Sequence, residues 1–407
     1  MSSTLYDLPD DVLIYNITFL SVPDILQTCK RFNALTRLPI VWTNAFKFNI
    51  LANNYPFPPG YIDLEHRTRS AYRLASRWLV DTPLIPKSEV TFTGSTVYEI
   101  KFIPGRQHLW LLTLSLDISS VLTIWNIERM VKCSEWSYKG AIFNTVKLNT
   151  DPDSEACIAV SLLPTIVLLR LDDNGILHEI NNIDMNLLPV TFTGDIIALS
   201  ETVSTMVIYN WKTGTRAYLD EGGDIQYGHR VCLQVVFTSS TILVVRACSI
   251  SAYVSPLLLC GQTQTPIATH PFGWVEDFSI SSPAPNNPLS ILIRYEDLDF
   301  GPSVPSSLEL YSLSSFPPIL TSKISSYCTQ FVLGKRATAM CVRYKEHDID
   351  RKTLIAVVFP GPLNPTDQVR IREVHPLDHN WSALDYDEDT GRIAICSGYG
   401  KITILQL

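Results

Sequence analysis

The chain has 407 residues, 46% of them apolar and 18% charged, with a formal net charge of −8. That balance describes a globular chain rather than a disordered one, long enough for several domains or for one large all-β architecture. Residues 1–80 carry eight Lys/Arg against six Asp/Glu, whereas residues 81–407 carry 24 against 34, and such an acidic body argues against a general nucleic-acid binder.

Residues 1–80 read as helical. After Pro9, Leu13, Ile17 and Leu20 recur at i, i+4, i+7, while Val12, Tyr15 and Phe19 line a neighbouring face. Pro9 suits a first helical turn, and Asp10 and Asp11 suit its positive dipole end. A second helix start follows at Ser21-Val22-Pro23-Asp24, with Ser21 as cap and Ile25, Cys29 and Phe32 as apolar stripe. A third helix is expected from Pro39, with Trp42, Ala45 and Phe46 facing inward. The Pro-rich stretch Tyr55–Gly60 ends this unit. One more amphipathic helix is expected beyond it, with Leu64, Ala71, Leu74, Ala75 and Trp78 on one side and Arg67, Arg69, Arg73 and Arg77 on the other.

From Glu89 onward the pattern becomes short alternating strands separated by turn residues. Candidate units begin near Val97, Phe143, Leu188, Val231, Trp274, Phe331 and Trp381, roughly 40 to 55 residues apart, the spacing of a repeat architecture. Most read as four strands. The last unit, from Trp381, offers three, and an orphan strand, Glu89–Phe92, precedes the first. If that strand supplies the missing one, seven four-stranded blades close into a ring without an open edge. The expected division is therefore a helical domain over 1–54, a Pro-rich linker and amphipathic helix over 55–87, and a β-propeller over 88–407 closed by strand 89–92.

Nine cysteines stand far apart with no Cys-x-x-Cys pair, which signals neither a zinc site nor a disulfide framework. The first residues lack a basic segment of signal-peptide type, and no apolar run approaches the ~18–20 residues of a membrane span. These features imply a reduced intracellular setting, cytoplasmic and/or nuclear, with no membrane or nucleic-acid partner, cofactor or metal. His375 and His379 make an H-x-x-x-H spacing broken by Pro376. The carboxylates of Asp385–Gly391 read as an acidic hairpin turn rather than a calcium loop, and Gly398–Lys401 reads as a hairpin without phosphate-loop context.

Two resemblances follow. Residues 93–407 resemble a degenerate WD-repeat propeller, with Trp125-Asn126, Tyr209-Asn210 and Tyr311-Ser312 where that family ends its third strand, and Gly228-His229 where it has a Gly-His pair. Residues 5–46 resemble an F-box: Leu8-Pro9, Asp11, the helix Val12 to Leu20, Ser21, Cys29-Lys30-Arg31-Phe32 and Trp42 stand where that motif has them. The arrangement is similar to fungal F-box proteins in which a helical linker precedes a divergent propeller. Between Asp24 and Cys29 lie only Ile25 to Thr28, where the family has about seven residues, so nearly one helical turn of ~3.6 residues is missing.

The resemblance implies a non-enzymatic substrate-recognition subunit of an SCF-type (cullin-RING) ubiquitin ligase. A Skp-type adaptor would contact Leu8, Pro9, Val12, Leu13, Tyr15, Leu20 and Trp42, and the propeller would hold the target protein. The alternative is an interaction scaffold whose shortened F-box assembles no ligase. For the target, Arg246, Arg294 and Arg343 end the second strand of three consecutive blades, and His229 and Arg230 sit in a loop of the same face. An arc of guanidinium groups there suits an acidic or phosphorylated segment, whereas local pairing, as of Arg294 with Glu296, is the plainer alternative.

Overall fold

The computed structural model of the chain describes all residues except 1–7, 18–19, 21, 27–33, 58–62, 79, 81–84, 92–95, 106–107, 201–205, 221–231, 239, 256–262, 282–287, 296–306, 326–327, 346–347 and 379. Seven sheets of four strands follow one another and form a seven-bladed β-propeller. Within a blade, strands a to d pair antiparallel in chain order, and the a strands of neighbouring blades touch, which places them innermost. The blades begin at Thr96, Thr145, Leu188, Cys232, Val275, Cys328 and Trp381, within three residues of the expected starts. The third sheet gains a two-residue fifth strand, Thr263–Gln264, parallel to its outer strand Arg216–Leu219.

Strands sandwiched between neighbouring blades bury both faces, so they read as continuous apolar runs, such as Ile158–Ser161 and Thr165–Leu171. An outer strand such as Val131–Trp136 buries only Trp136. Where the third strand ends in an aromatic–Asn pair, the Asn caps the turn that follows. Asn126 Oδ1 accepts the backbone N–H groups of Glu128 and Arg129, and Asn210 Oδ1 those of Lys212 and Thr213.

The ring closes as expected, with a longer closing strand. Pro86–Thr91 pairs antiparallel with Lys401–Gln406, Glu89 opposite Thr403, and becomes the outer strand of the blade that begins at Trp381. Lys401 Nζ reaches Glu89 Oε1 at 3.1 Å across this seam.

Ahead of the ring stand α1 (Asp10–Ile17), α2 (Val22–Leu26), α3 (Pro39–Ala45) and α4 (Leu64–Trp78), with a π-helical stretch, Phe46–Leu51, continuing α3. Among the described residues no helix is long and apolar enough to cross a membrane. α1 starts where Pro9 carbonyl accepts Leu13 N–H at 3.1 Å and is described to Ile17; Leu20, expected within it, lies in a bend. Pro39 opens α3, where no side chain caps the helix and a missing N–H costs nothing. Leu13, Ile17, Val22, Ile25, Leu35, Val41, Trp42 and Ala45 form a core between these helices. Ser21, Phe19 and the Cys29–Phe32 segment lie outside the described residues.

α4 joins the two parts. Leu74, Ala75 and Trp78 enter a core shared with Met340, Leu354, Leu384, Tyr386, Ile393 and Leu407 of blades six and seven. Trp78 meets Tyr386 edge-on at 5.8 Å, and Leu74 lies so close over Gly391, at φ 69°, that a Cβ there would collide with it. Part of the expected basic side of α4 turns inward. Arg67 lies 5.0 Å over Phe46 and 4.5 Å over Phe57, while Arg69 lies 5.2 Å over Trp42 and pairs with Glu65. Arg73 and Arg77 remain exposed.

The turns facing α4 carry a buried ion network. Glu388, only 4% exposed, accepts from Lys335 N–H at 2.7 Å, Arg336 Nη1 at 3.2 Å and the Thr338 hydroxyl. Burial pushes its carboxyl up, and Arg336 and Thr338 draw it back. Arg336 also reaches Asp389 at 2.8 Å and lies 5.9 Å over the Phe57 ring. Arg336→Met leaves Glu388 buried without its cation and should lower the unfolding free energy by ~3–5 kcal/mol in a urea titration, with Glu388→Gln added in the same chain recovering most of the loss. Unchanged stability in the single variant would contradict this role.

Between blades seven and one, His108 Nδ1 stands 2.8 Å from Asp387 Oδ2. Burial alone would raise that carboxyl, but the His108 contact, the Thr390 hydroxyl and Lys335 hold it below its ordinary value. A lowered folded value stabilises the fold above the ordinary carboxylate pKa of ~3.9, and the contribution fades as pH falls through the lowered value. His108→Ala should therefore flatten the acid side of the stability–pH profile, measured by urea denaturation from acid to neutral pH.

Candidate interaction surfaces

The short helix α1 has two unlike faces. Leu13 and Ile17 are buried in the helical core, while Val12 is 38% and Tyr15 65% exposed. Leu20 is at the exposed edge, where its carbonyl lies 3.5 Å from Asn49 Nδ2 of the π-helical stretch. Pro9 is exposed, and Leu8 packs in part against the helical core. The expected contact set therefore divides. Val12, Tyr15, Leu20 and Pro9 offer surface, whereas Leu13 and Trp42, at 2% and 3% exposure, hold the unit together. Ile40, Phe48 and Leu51 add exposed apolar side chains on α3 and its continuation.

The arginine arc is present in register but not as a surface. Arg246 and Arg343 stand opposite the first residue of strand a in their blades, Cys232 and Cys328, and Arg294 opposite Asp277. Arg246 is 1% and Arg294 7% exposed. Arg294 Nε pairs with Glu276 at 3.0 Å, and its Nη1 donates to the Cys328 carbonyl. Arg343, on a partly exposed side chain, pairs with Glu373 at 3.2 Å. Local pairing is thus the outcome for Arg294 and Arg343, through Glu276 and Glu373; Glu296 lies outside the described residues, as do His229 and Arg230. The reason is positional: the end of a b strand lies within reach of strands a and d of its blade and of the next blade, so a guanidinium there meets partners of its own protein, Glu276 and the Cys328 carbonyl for Arg294 and Glu373 for Arg343.

The same face, formed by b–c hairpins and d–a loops, carries a different chemistry that sequence reasoning passed over. Ile118 and Tyr399 stand at the tips of the b–c hairpins of blades one and seven, 88% and 73% exposed. Ile142 in the loop after blade one, Leu163 in the blade-two hairpin and Tyr98 at a bulge of the first inner strand are exposed as well. Their backbones are hydrogen-bonded in sequence. Gly398 N–H reaches Asn380 carbonyl at 2.7 Å, Ser120 N–H reaches Ala141 carbonyl at 3.0 Å, and Asn144 N–H reaches Ser161 carbonyl at 2.9 Å. Thr96, which opens blade one, pairs with Leu116 beside the Ile118 hairpin, and Gly398 lies against the Thr96 side chain. A signal existed: an apolar residue at a hairpin tip has no strand neighbour to pack against.

Beside this arc, Lys352 Nζ stands 5.2 Å from the Tyr344 ring and 5.4 Å from the Trp381 ring. A shallow cavity of about 50 Å³ opens next to Trp381, lined also by His375, Pro376, Leu377, Asp378, Ser397 and Lys401. His375 lines it without a described histidine partner, since His379 lies outside the described residues. In the Asp385–Gly391 turn the carboxylates diverge. Asp385 accepts Phe102 N–H at 2.7 Å, Asp387 faces His108, and Glu388 and Asp389 take Arg336. Only Glu388 and Asp389 share a partner, the Arg336 cation, and the four converge on no common point. Inside the ring, Lys101 lies 3.7 Å from Asp385, whose charge raises its ammonium above the ordinary value. Lys147, without a carboxylate in ion-pair reach among the described residues, is pushed down by burial.

No known protein family's sequence model and no curated protein sequence matches the chain. Among solved structures, the β-propeller domain of Cps50 (Swd1) from Myceliophteria thermophila aligns with a TM-score of 0.56 at 10% identity, covering 80% of this chain and 100% of that one. At that identity the likeness shows the fold alone, a β-propeller.

Burial of the arc makes a direct prediction. Arg294→Glu should cost about 3 kcal/mol or more, read as a lowered thermal midpoint, because it places a carboxylate beside Glu276 in a buried position. Arg343→Glu, at a partly exposed site, should cost less than half of that.

Proposed function

We propose that this chain is the substrate-recognition subunit of an SCF-type (cullin-RING) ubiquitin ligase, its helical unit docking on a Skp-type adaptor and its propeller holding the target protein. The observation that carries the reading is the divided helix α1, which buries Leu13 and Ile17 while Val12 and Tyr15 face outward. A helical unit this small closes one core and has a second apolar face left over. Removing such a face from water gains ~25 cal/mol per Å² of apolar surface, so it favours a partner. The F-box-like order of Leu8-Pro9, the two aspartates and Trp42 agrees with where that face begins and what braces it.

The chain supplies no chemistry in this reading. It brings a target near enzymes carried by its partners, so its contribution is effective concentration and orientation. The rigid seating of α4 on blades six and seven supports that role, because a fixed arm keeps the adaptor and target at one separation.

Co-expression with a Skp-type adaptor tests it. The intact chain should retain the adaptor through size-exclusion chromatography, and Val12→Asp with Tyr15→Ala should weaken capture at least about tenfold while leaving the thermal midpoint unchanged. If the intact chain captures no adaptor, it is a scaffold that assembles no ligase.

A further inference from the structure

We propose that the propeller's recognition surface is the exposed arc over blades seven, one and two, and that its partner is a protein segment bearing large apolar side chains with basic flanks. The proposal rests on the substrate-recognition reading above for its purpose, but not for its geometry.

Three observations place the surface. The first is continuity: the Tyr399 hairpin, the start of blade one, the Ile118 hairpin, the Ile142 loop and the Leu163 hairpin are linked by backbone hydrogen bonds or direct contact, so they form one ridge. The second is exposure, with Ile118 at 88% and Ile142 at 58% where turn residues are ordinarily polar. The third is position. The helical unit packs through α4 against the a–b turns of blades six and seven, at Gly391 and Arg336, which is the opposite face of the ring. The arc is therefore open while the helices hold another partner.

Charge decides the occupant. A phosphorylated or acidic segment needs cations free to meet it, and among the described residues most of those on this face are buried or already engaged. Arg246 and Arg294 are buried, and Arg343 is paired with Glu373. Lys401 is paired with Glu89, Lys352 lies across Tyr344 and Trp381, and Lys139 lies 5.1 Å over Tyr138. Two carboxylates, by contrast, are available among the described residues. Asp117 adjoins Ile118, and Asp184, paired in register with Thr165, stands beside the Leu163 hairpin; both are exposed and neither has an ion pair among the described residues. A third, Asp378, 68% exposed, shares Lys401 with Glu89 beside the Tyr399 hairpin. Apolar side chains ringed by carboxylates fit an apolar segment carrying Lys or Arg.

The test uses the full chain as bait for a phage-displayed library of short random peptides, with selected sequences synthesised with a fluorescein label and titrated by anisotropy. Selected peptides should pair large apolar residues with Lys or Arg. Ile118→Asp and Tyr399→Asp should each weaken binding at least about tenfold, and Ile118→Ser should act in the same direction if the aspartate unsettles the hairpin. Ile319→Asp, at an exposed site on the outer strand of blade five, should change nothing. Selection of acidic peptides, of none, or of peptides indifferent to the arc variants overturns the proposal. So does arc-dependent dimerisation seen by light scattering, which would make a second copy the occupant. Adaptor capture by the same variants keeps the two readings apart: arc binding without adaptor capture leaves this surface standing and removes only the ligase.

Discussion

The pairing of Pro86–Thr91 with Lys401–Gln406 is the constraint on which the rest of the architecture rests. A ring of sheets stacked side by side has no natural end, and an unpaired outer strand in the last blade would leave an open edge and an unfastened joint. Drawing that strand from before the first blade ties residues more than three hundred positions apart into one sheet. It also fixes where the helices must sit. Because α4 ends only a few residues before the closing strand, its apolar side is delivered to the seam between blades six and seven, where Trp78 is buried to 1% exposure.

From that fixed point the two ends of the molecule acquire separate tasks. At blades six and seven the face of a–b turns is covered by α4 and braced by the Arg336–Glu388 network, so the charges there are internal and structural. The face of b–c hairpins and d–a loops is uncovered among the described residues, and its side chains meet solvent. The leftover apolar face of α1 lies on the helical unit and not on the ring. A partner on α1 and a partner on the hairpin face therefore do not compete for the same atoms, which is what an adaptor-to-target bridge requires.

Much of this was legible because its causes are local. Period-two alternation, turn residues and the repeat of about forty to fifty-five residues placed every blade start within a few positions, and the strand deficit near Trp381 gave the closure. Pro9 and Pro39 marked helix starts for the same local reason. What was not legible depends on which strands lie back to back. Arg294 meets Glu276 within its own blade, but its other partner, the Cys328 carbonyl, belongs to the next blade, and only the assembled ring brings the two together. Likewise Leu13 and Val12 are equally apolar neighbours, and their opposite fates follow from where α2 and α3 pack.

The surface itself follows from the same geometry. In a propeller the inner and middle strands are walled by neighbouring blades, so a charged side chain near a strand end is taken up by the interior, as Arg246 and Arg294 are. Residues at hairpin tips clear that wall most fully, as Ile118 and Tyr399 do. The identity of the exposed face is therefore set by a few tip positions, and here these are Ile118, Leu163 and Tyr399 rather than arginines. Each stands where a solvated turn prefers a polar residue. An acidic ring that places isoleucine, leucine and tyrosine at those positions, with exposed aspartates beside two of them, presents there an apolar face edged by carboxylates.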